Sequence, residues 1–289
     1  MKNISVIMPC FNEKNSVTQV LNQVNEVMSK QDWGYEIIVV NDASNDGTEH
    51  ILSELKGNFK LISNKTNFGY GGSIKKGVEI SKYEAVLIID ADGTYPVQAL
   101  PGIINHFFTD DYDMVIGARI KKGSAMPFIR RPAKWIIGLL ANYLSGTKIP
   151  DVNSGLRIMK KHLVMKHLKI LPNGFSFTTT ITIAMLTNHN TVYYMPIDYY
   201  ARKGRSKIHP INDTLTFIFL IVRTVMLFNP LKIFVPAAAL FMLAAVVIFF
   251  YSYFYLHRLM DATVTVLIVT SVQLLFLGMI ADMIDRRMQ

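Results

Sequence analysis

Val86-Leu87-Ile88-Ile89-Asp90-Ala91-Asp92-Gly93 is an apolar run that ends abruptly in two carboxylates separated by one small residue. A continuous apolar run with β-branched members reads as a strand buried on both faces, and in open α/β sheets ligands gather at the carboxyl ends of such strands. If the extended backbone continues through Ala91, the period of two aims Asp90 and Asp92 to one side, where they would share a hard divalent cation with a phosphate ligand. The same residues carry a plainer reading. Asp92 would cap the helix that Pro96 opens, and Asp-Gly is a common turn pair.

Working outward, residues 4–8 read as a first strand halted by Pro9. Behind it Val17, Val20, Leu21, Val24, Val27 and Met28 recur at helical spacing, with Asn15 or Ser16 as cap. Ile37-Ile38-Val39-Val40 is a second strand, ending in the polar loop Asn41-Asp42-Ala43-Ser44-Asn45-Asp46-Gly47-Thr48. Residues 60–63 form a third, followed by the glycine-rich Asn67-Phe68-Gly69-Tyr70-Gly71-Gly72 and a helix to about Ser81. Beyond the opening stretch come a helix over 96–108, strands over 114–117 and 156–159, a helix over 177–186 and a strand over 192–200. Such alternation implies an α/β domain with a mainly parallel sheet and helices on both faces. Asp42 gives a second strand an acidic end, which weakens the view of Asp90 and Asp92 as isolated turn residues.

The chain of 289 residues is 51% hydrophobic with a mean hydropathy of +0.27, high for a soluble protein. The surplus is concentrated at the end. Residues 233–256 and 262–281 carry no charged side chain, and each is long enough at ~1.5 Å per residue to cross a ~30 Å hydrocarbon core. The short segment His257-Arg258-Leu259-Met260-Asp261 between them makes the pair a transmembrane hairpin, with both chain ends on one side. Lys232, Arg286-Arg287 and the basic N-terminal region place those ends in the cytoplasm. The expected domains are therefore a catalytic unit over 1–212, an interfacial helix over 213–229 and the hairpin over 230–289. A second amphipathic helix over 127–145 suits either the membrane interface or a core.

The formal charge of +9 suits nucleic acid, an anionic bilayer or phosphorylated substrates, and the two spans favour the last two over nucleic acid. A lone Cys10 allows no internal disulfide and suits a reducing cytosol, and the histidines do not cluster as a zinc site would require. Gly72 to Gly77 has the glycine spacing of a P-loop, but Val78-Glu79 stands where Lys and Ser or Thr should follow. Gly69-Tyr70-Gly71 begins a dinucleotide fingerprint that Ile74 breaks. The basic loop Arg202-Lys203-Gly204-Arg205-Ser206-Lys207 suits phosphate oxygens, an anionic leaflet, or both.

Six motifs in this order resemble a family 2 glycosyltransferase with the GT-A fold, most closely the dolichol- or polyprenyl-phosphate sugar synthases. They are Val6-Ile7-Met8-Pro9-Cys10-Phe11-Asn12-Glu13, the 41–48 loop, Asp90-Ala91-Asp92, Gly117-Ala118-Arg119, Asn153-Ser154-Gly155-Leu156-Arg157 and the 202–207 loop, and the resemblance covers about residues 3–210. It implies that Pro9, Phe11, Asn12, Glu13, Asp42 and Asp90 bind the donor nucleotide, and that Asp90 and Asp92 hold Mg²⁺ or Mn²⁺. Arg119, Arg131, Ser154, Arg202 and Lys207 would meet phosphate groups of donor or acceptor, with Arg119 and Arg202 joining the two aspartates in catalysis. Two positions depart from the pattern. Thr94 stands where mannose-transferring relatives often carry Gln, and Thr178-Thr179-Thr180 occupies a helix in which many relatives carry a carboxylate.

The implied reaction is inverting transfer of a hexose from GDP-mannose or UDP-glucose to undecaprenyl or dolichyl phosphate at the cytoplasmic face. A lipid phosphate with its second pKa near about 6 is largely dianionic at neutral pH and needs no general base, unlike an alcohol. A polysaccharide or glycolipid synthase is the nearest rival, but neither Trp33 nor Trp135 lies in the Gln-x-x-Arg-Trp motif typical of polysaccharide synthases in this fold. A lipid-binding module without catalysis would have no use for paired carboxylates. A transporter subunit would need a polar path that these uncharged spans do not offer alone, although self-association as a homo-oligomer would supply one.

Overall fold

The computed structural model describes residues 2–120, 142–143, 146–147, 149–200, 226, 229–255 and 260–288. The chain divides into two compact units, Met1–Phe217 and Ile218–Gln289. The expected interfacial helix over 213–229 and the amphipathic helix over 127–145 lie almost wholly outside the described residues.

In the first unit the elements run β1 (Asn3–Cys10), α1 (Val17–Ser29), β2 (Gly34–Asn41), α2 (Thr48–Glu54), β3 (Lys60–Ser63), α3 (Tyr70–Ile80) and β4 (Ala85–Ile88). A 3₁₀ turn over Val97–Ala99 then leads into α4 (Leu100–Thr109) and β5 (Met114–Ala118). After these come β6 (Arg157–Lys160), α5 (Lys161–His167), α6 (Phe177–Thr187) and β7 (Val192–Pro196). The sheet has seven strands in the order β3-β2-β1-β4-β6-β5-β7. β6 runs antiparallel to both β4 and β5, and every other neighbouring pair is parallel. The mainly parallel α/β sheet expected from the alternating pattern is therefore present.

Two apolar layers sandwich this sheet. Ile4, Val6 and Met8 face one cluster with Val17, Leu21 and Val24 of α1 and Leu100, Ile103 and Ile104 of α4. Ile7, Val86 and Ile88 face the other with Ile74 and Val78 of α3 and Phe177 and Ile181 of α6. The strands are thus apolar on both faces, as parallel strands covered by helices must be.

Two features of this order position the site. The winding reverses between β1 and β4, because β2 and β3 are laid down on one side of β1 and β4 on the other, and such a switch point opens a crevice beyond the strand ends. The reversed β6 then delivers the loop preceding it to that same edge, since Arg157 pairs with both Ile88 of β4 and Ile116 of β5.

Some boundaries differ from the expectation. Pro9 does not halt β1, which continues to Cys10. The ladder to β4 stops at Ile7, so the missing N–H of Pro9 leaves no acceptor there unserved while pairing with β2 continues at Val40. β7 stops at Pro196, short of the expected Tyr200.

The second unit holds α7 (Leu231–Phe254) and α8 (Asp261–Met288), an antiparallel helical hairpin with Pro236 inside the first turns of α7. Small residues line the contact: Ala238, Ala245, Ser252 and Ser271 are buried, and Ser271 Oγ donates 2.8 Å to the Ala238 carbonyl. Both helices are strongly apolar, yet few of their residues are buried, unlike the helices of a soluble core.

Helix α3 packs closely on β1 through Gly77, where a Cβ would fall 2.5 Å from Ile7 Cγ2. Gly77→Ala gains up to ~1 kcal/mol of helix propensity but forces a strain of about 1–3 kcal/mol on a fully buried neighbour. The strain should win, and the thermal midpoint of the purified protein should fall. A midpoint at or above wild type would show that α3 can move away from the sheet.

Candidate active site

The loops after β1 and β2 are stitched together. Asn12 adopts a left-handed φ of 57°, which its short polar side chain tolerates; its N–H donates to Ser44 Oγ (3.0 Å) and its Oδ1 accepts from the Asn45 N–H (2.8 Å). The Glu13 N–H donates 2.9 Å to Thr48 Oγ1. Phe11, Asn12 and Glu13 are half-buried, and Pro9 and Asp42 are buried. The Asp42 carboxylate accepts from Asn64 Nδ2 (2.8 Å) and from the Phe68 (2.9 Å) and Gly69 (2.8 Å) N–H groups. It fastens the glycine-rich start of α3 to the end of β2.

Asp90 and Asp92 are placed by a turn and not by strand alternation. β4 ends at Ile88 and the chain turns through 91–93, with Gly93 at a φ of 73°. Asp92 Oδ1 accepts from both the N–H (3.1 Å) and the hydroxyl (2.7 Å) of Thr94, a local Asx turn. The plainer alternative, Asp92 as a helix cap, does not hold: Pro96 occupies the cap position and no side chain bonds there. Both carboxylates are half-buried.

Asp90 is held from two sides. Tyr70 Oη donates 2.8 Å to its Oδ1, and Gly155 presses its backbone against the carboxylate. A Cβ at Gly155 would stand 2.4 Å from Asp90 Oδ2, so any side chain there would displace the acid. Burial, reinforced by the Asp90 charge, raises the pKa of Tyr70 and keeps its phenol a donor. The Gly155 N–H donates 2.6 Å to Tyr95 Oη, and burial likewise raises the pKa of Tyr95.

Arg119 grips Asp151 in a bidentate pair, with Nε 2.7 Å from Oδ2 and Nη2 2.8 Å from Oδ1, while Nη2 also reaches Asn153 and the guanidinium lies 5.1 Å from the Tyr199 ring centroid. Burial works against its charge, but the bonds to Asp151 outweigh that and hold its pKa above the ordinary value. Ser154 is fully buried and its hydroxyl donates 2.6 Å to the Gly117 carbonyl, supporting the loop from inside. Arg131, Arg202 and Lys207, the other expected phosphate contacts, lie outside the described residues. Among the described residues no three His, Cys, Asp or Glu side chains converge as a metal cage.

Sequence reasoning missed Tyr70, Tyr95 and Asp151 as parts of the site. Their partners lie 20 residues away for Tyr70, 60 for Tyr95 and 32 for Asp151, and no local period links residues so far apart.

A family model described as "Glycosyl transferase family 2" matches residues 5–168, more than half of the chain. The chain belongs to glycosyl transferase family 2. A second model, "GtrB C-terminal hairpin", matches residues 229–286 of this glycosyltransferase. The dolichyl-phosphate hexose transferase of Haloferax volcanii is 29% identical over 72% of the chain and 87% of its own length. The bactoprenol glucosyl transferase of Shigella phage SfV is 29% identical over 58% of the chain, and the match spans only 55% of that relative. In fold, the chain is similar to glucosyl-3-phosphoglycerate synthase from Mycobacterium tuberculosis, solved with Mn²⁺, uridine-diphosphate and glucosyl-3-phosphoglycerate. That likeness has a TM-score of 0.60 at 16% identity, covering 78% of this chain and 80% of that one. The resemblance carried by the motifs, and the GT-A architecture with its apolar hairpin, are therefore confirmed.

Arg119→Ala would leave the fully buried Asp151 without its bidentate partner and should cost about 3 kcal/mol of stability, read by denaturant titration. Arg119→Lys should recover only part of that loss, because an ammonium cannot reproduce the fork.

Proposed function

We propose that this glycosyltransferase moves a hexose from a nucleotide sugar, GDP-mannose or UDP-glucose, to a polyprenyl phosphate, inverting the anomeric carbon. The observation that carries this reading is the Asp90–Asp92 turn, set at the switch point of a family 2 domain whose chain continues into an apolar hairpin. The names of the Haloferax and phage relatives point to the same substrate classes.

The donor set fits Mg²⁺ or Mn²⁺. These ions bind through one or two carboxylates and complete their shell with substrate phosphates and water, so the lack of a three-residue cage among the described residues is no obstacle. Asp90 and Asp92 would hold the ion, with Thr94 acting through its bonds to Asp92. Bound there, the ion would neutralise charge gathering on the departing diphosphate.

The chain's own residues do the rest. The stitched loops after β1 and β2, with Pro9, Phe11, Asn12, Glu13 and Asp42, would form the nucleotide end of the site. Arg119 uses Nε and Nη2 on Asp151, so it would meet a phosphate through Nη1. Arg131, Arg202 and Lys207 would supply further positive charge to the acceptor or donor. One phosphate oxygen of the acceptor attacks the anomeric carbon as the bond to the diphosphate breaks, and the diphosphate leaves with the electron pair. No proton need be removed from a dianionic acceptor. The hairpin would anchor the enzyme in the bilayer where the acceptor resides, with the catalytic unit on the cytoplasmic side as Lys232, Arg286 and Arg287 favour.

Labelled UDP- and GDP-sugars offered with a short polyprenyl phosphate should give chloroform-soluble label with one donor, and EDTA should abolish it. Asp92→Ala should lower the rate by roughly two orders of magnitude. No lipid-linked label with any donor, or an unimpaired Asp92→Ala enzyme, would refute the respective assignment. The rate should also decline as pH falls through about 6, where the dianionic acceptor takes up a proton and becomes a monoanion. A rate that rises there would point to a different acceptor.

A further inference from the structure

Tyr70 opens α3, and its hydroxyl donates 2.8 Å to Asp90 Oδ1. Its ring is stacked on Phe175, with centroids 5.6 Å apart and planes 19° from parallel. Asp42 binds the N–H of Gly69, the residue just before it, so the position of the ring is set from both the stack and the backbone. Across the carboxylate lies the Gly155 backbone, where an added Cβ would be 2.4 Å from Oδ2 and 2.7 Å from Oδ1. That backbone is itself held by Tyr95 Oη on the Gly155 N–H, and by the fully buried Arg157, whose Nε donates 3.0 Å to the Ser154 carbonyl. The terminal torsion of an aspartate is broad and two-fold, so a carboxylate left to itself does not present its oxygens in one plane. Here a directional donor on one side and a main chain in contact on the other remove that freedom.

We propose that Tyr70 is the positioning residue of the donor site: its hydroxyl, acting against the Gly155 backbone, sets the plane in which Asp90 meets a divalent cation and the donor diphosphate. This inference rests on the reading of Asp90 as a metal ligand given above. Partners of this kind around ligating carboxylates are typically worth 10–100-fold in metal affinity.

The alternative role for Tyr70 is purely structural, tying α3 to the turn after β4; Tyr70→Phe keeps the ring and its stack on Phe175 and removes only the hydroxyl bond, so the thermal midpoint and metal-free UDP binding read the structural role apart from the metal. Mn²⁺ binding to the full-length protein in detergent, in the presence of UDP, is read from the electron paramagnetic resonance signal of free Mn²⁺ for wild type, Tyr70→Phe and Asp90→Asn. Tyr70→Phe is expected to weaken Mn²⁺ binding about 10-fold or more, with the thermal midpoint moving no more than about 4 °C. UDP affinity without metal should stay at the wild-type value. If Asp90→Asn binds Mn²⁺ poorly while Tyr70→Phe binds it as wild type does, the positioning role of Tyr70 is overturned and the metal reading stands. Should Asp90→Asn also bind Mn²⁺ like wild type, the metal reading fails and this inference fails with it. A weakened Tyr70→Phe protein that also loses metal-free UDP binding or melts far below wild type would likewise overturn the proposal in favour of the structural role.

Discussion

The site depends on one strand running the wrong way. Were β6 parallel to its neighbours, the loop before it would emerge at the amino edge of the sheet, remote from the ends of β4 and β5. Because it is antiparallel, with Arg157 registered against both Ile88 and Ile116, the 151–155 segment arrives where those two strands end. From that placement follow the grip of Arg119 on Asp151, the bond from Gly155 to Tyr95, and the contact of Gly155 with Asp90. Residues separated widely in sequence become one rigid frame around a carboxylate that the β4 turn alone would leave poorly oriented.

Keeping that strand in place requires a buried charge. Arg157 is fully inaccessible, and burial pushes its pKa down while the nearby Tyr70, Tyr194 and Tyr95 oppose the shift. A guanidinium in such surroundings is tolerable only when its donors are met. The Ser154 carbonyl takes Nε, and Nη1 reaches the Thr178 carbonyl (3.1 Å) and Thr182 Oγ1 (3.0 Å) on α6. Main-chain and hydroxyl oxygens thus satisfy the donors of Arg157 in the very helix where an acid was noted as missing. Of Thr178-Thr179-Thr180 only the Thr178 main-chain carbonyl meets Arg157, while the buried hydroxyls of Thr179 and Thr180 make no hydrogen bond among the described residues, so the contact explains Thr182 and not the departure from the family pattern.

Much of the fold was legible because parallel strands covered on both faces must be apolar throughout, and helices between them must show one apolar stripe. Ile37 to Val40 and Val86 to Ile88 announced themselves in that way, as did the uncharged runs of the hairpin. The orientation of β6 was not legible, since a short apolar strand carries no sign of its direction. Nor was the Asp90–Asp92 turn, in which Thr94 holds Asp92 while Tyr70 and Gly155 hold Asp90, in place of the strand's period. Pro9 misled for a similar reason: its missing N–H matters only where a neighbouring strand presents an acceptor, and β4 ends before it. Tyr70 and Tyr95 looked like ordinary aromatic residues because their polar ends find partners only after the sheet is assembled.

The hairpin and the reaction chemistry bear on each other through the acceptor. Helices α7 and α8 leave side chains such as Leu243, Val247, Phe250 and Tyr253 more than half exposed, a surface that only a lipid or another apolar partner can cover at reasonable cost. On the proposed reading that cover is the bilayer, which is also where a polyprenyl phosphate is found. Such an acceptor arrives with its nucleophilic oxygen already deprotonated, so the protein has no need of an acid–base residue beside the anomeric carbon. A soluble alcohol acceptor would reverse both requirements, calling for a positioned base and leaving the apolar hairpin without a purpose in substrate capture. On the proposed reading, anchoring in lipid and catalysis without a general base would be two consequences of one choice of acceptor.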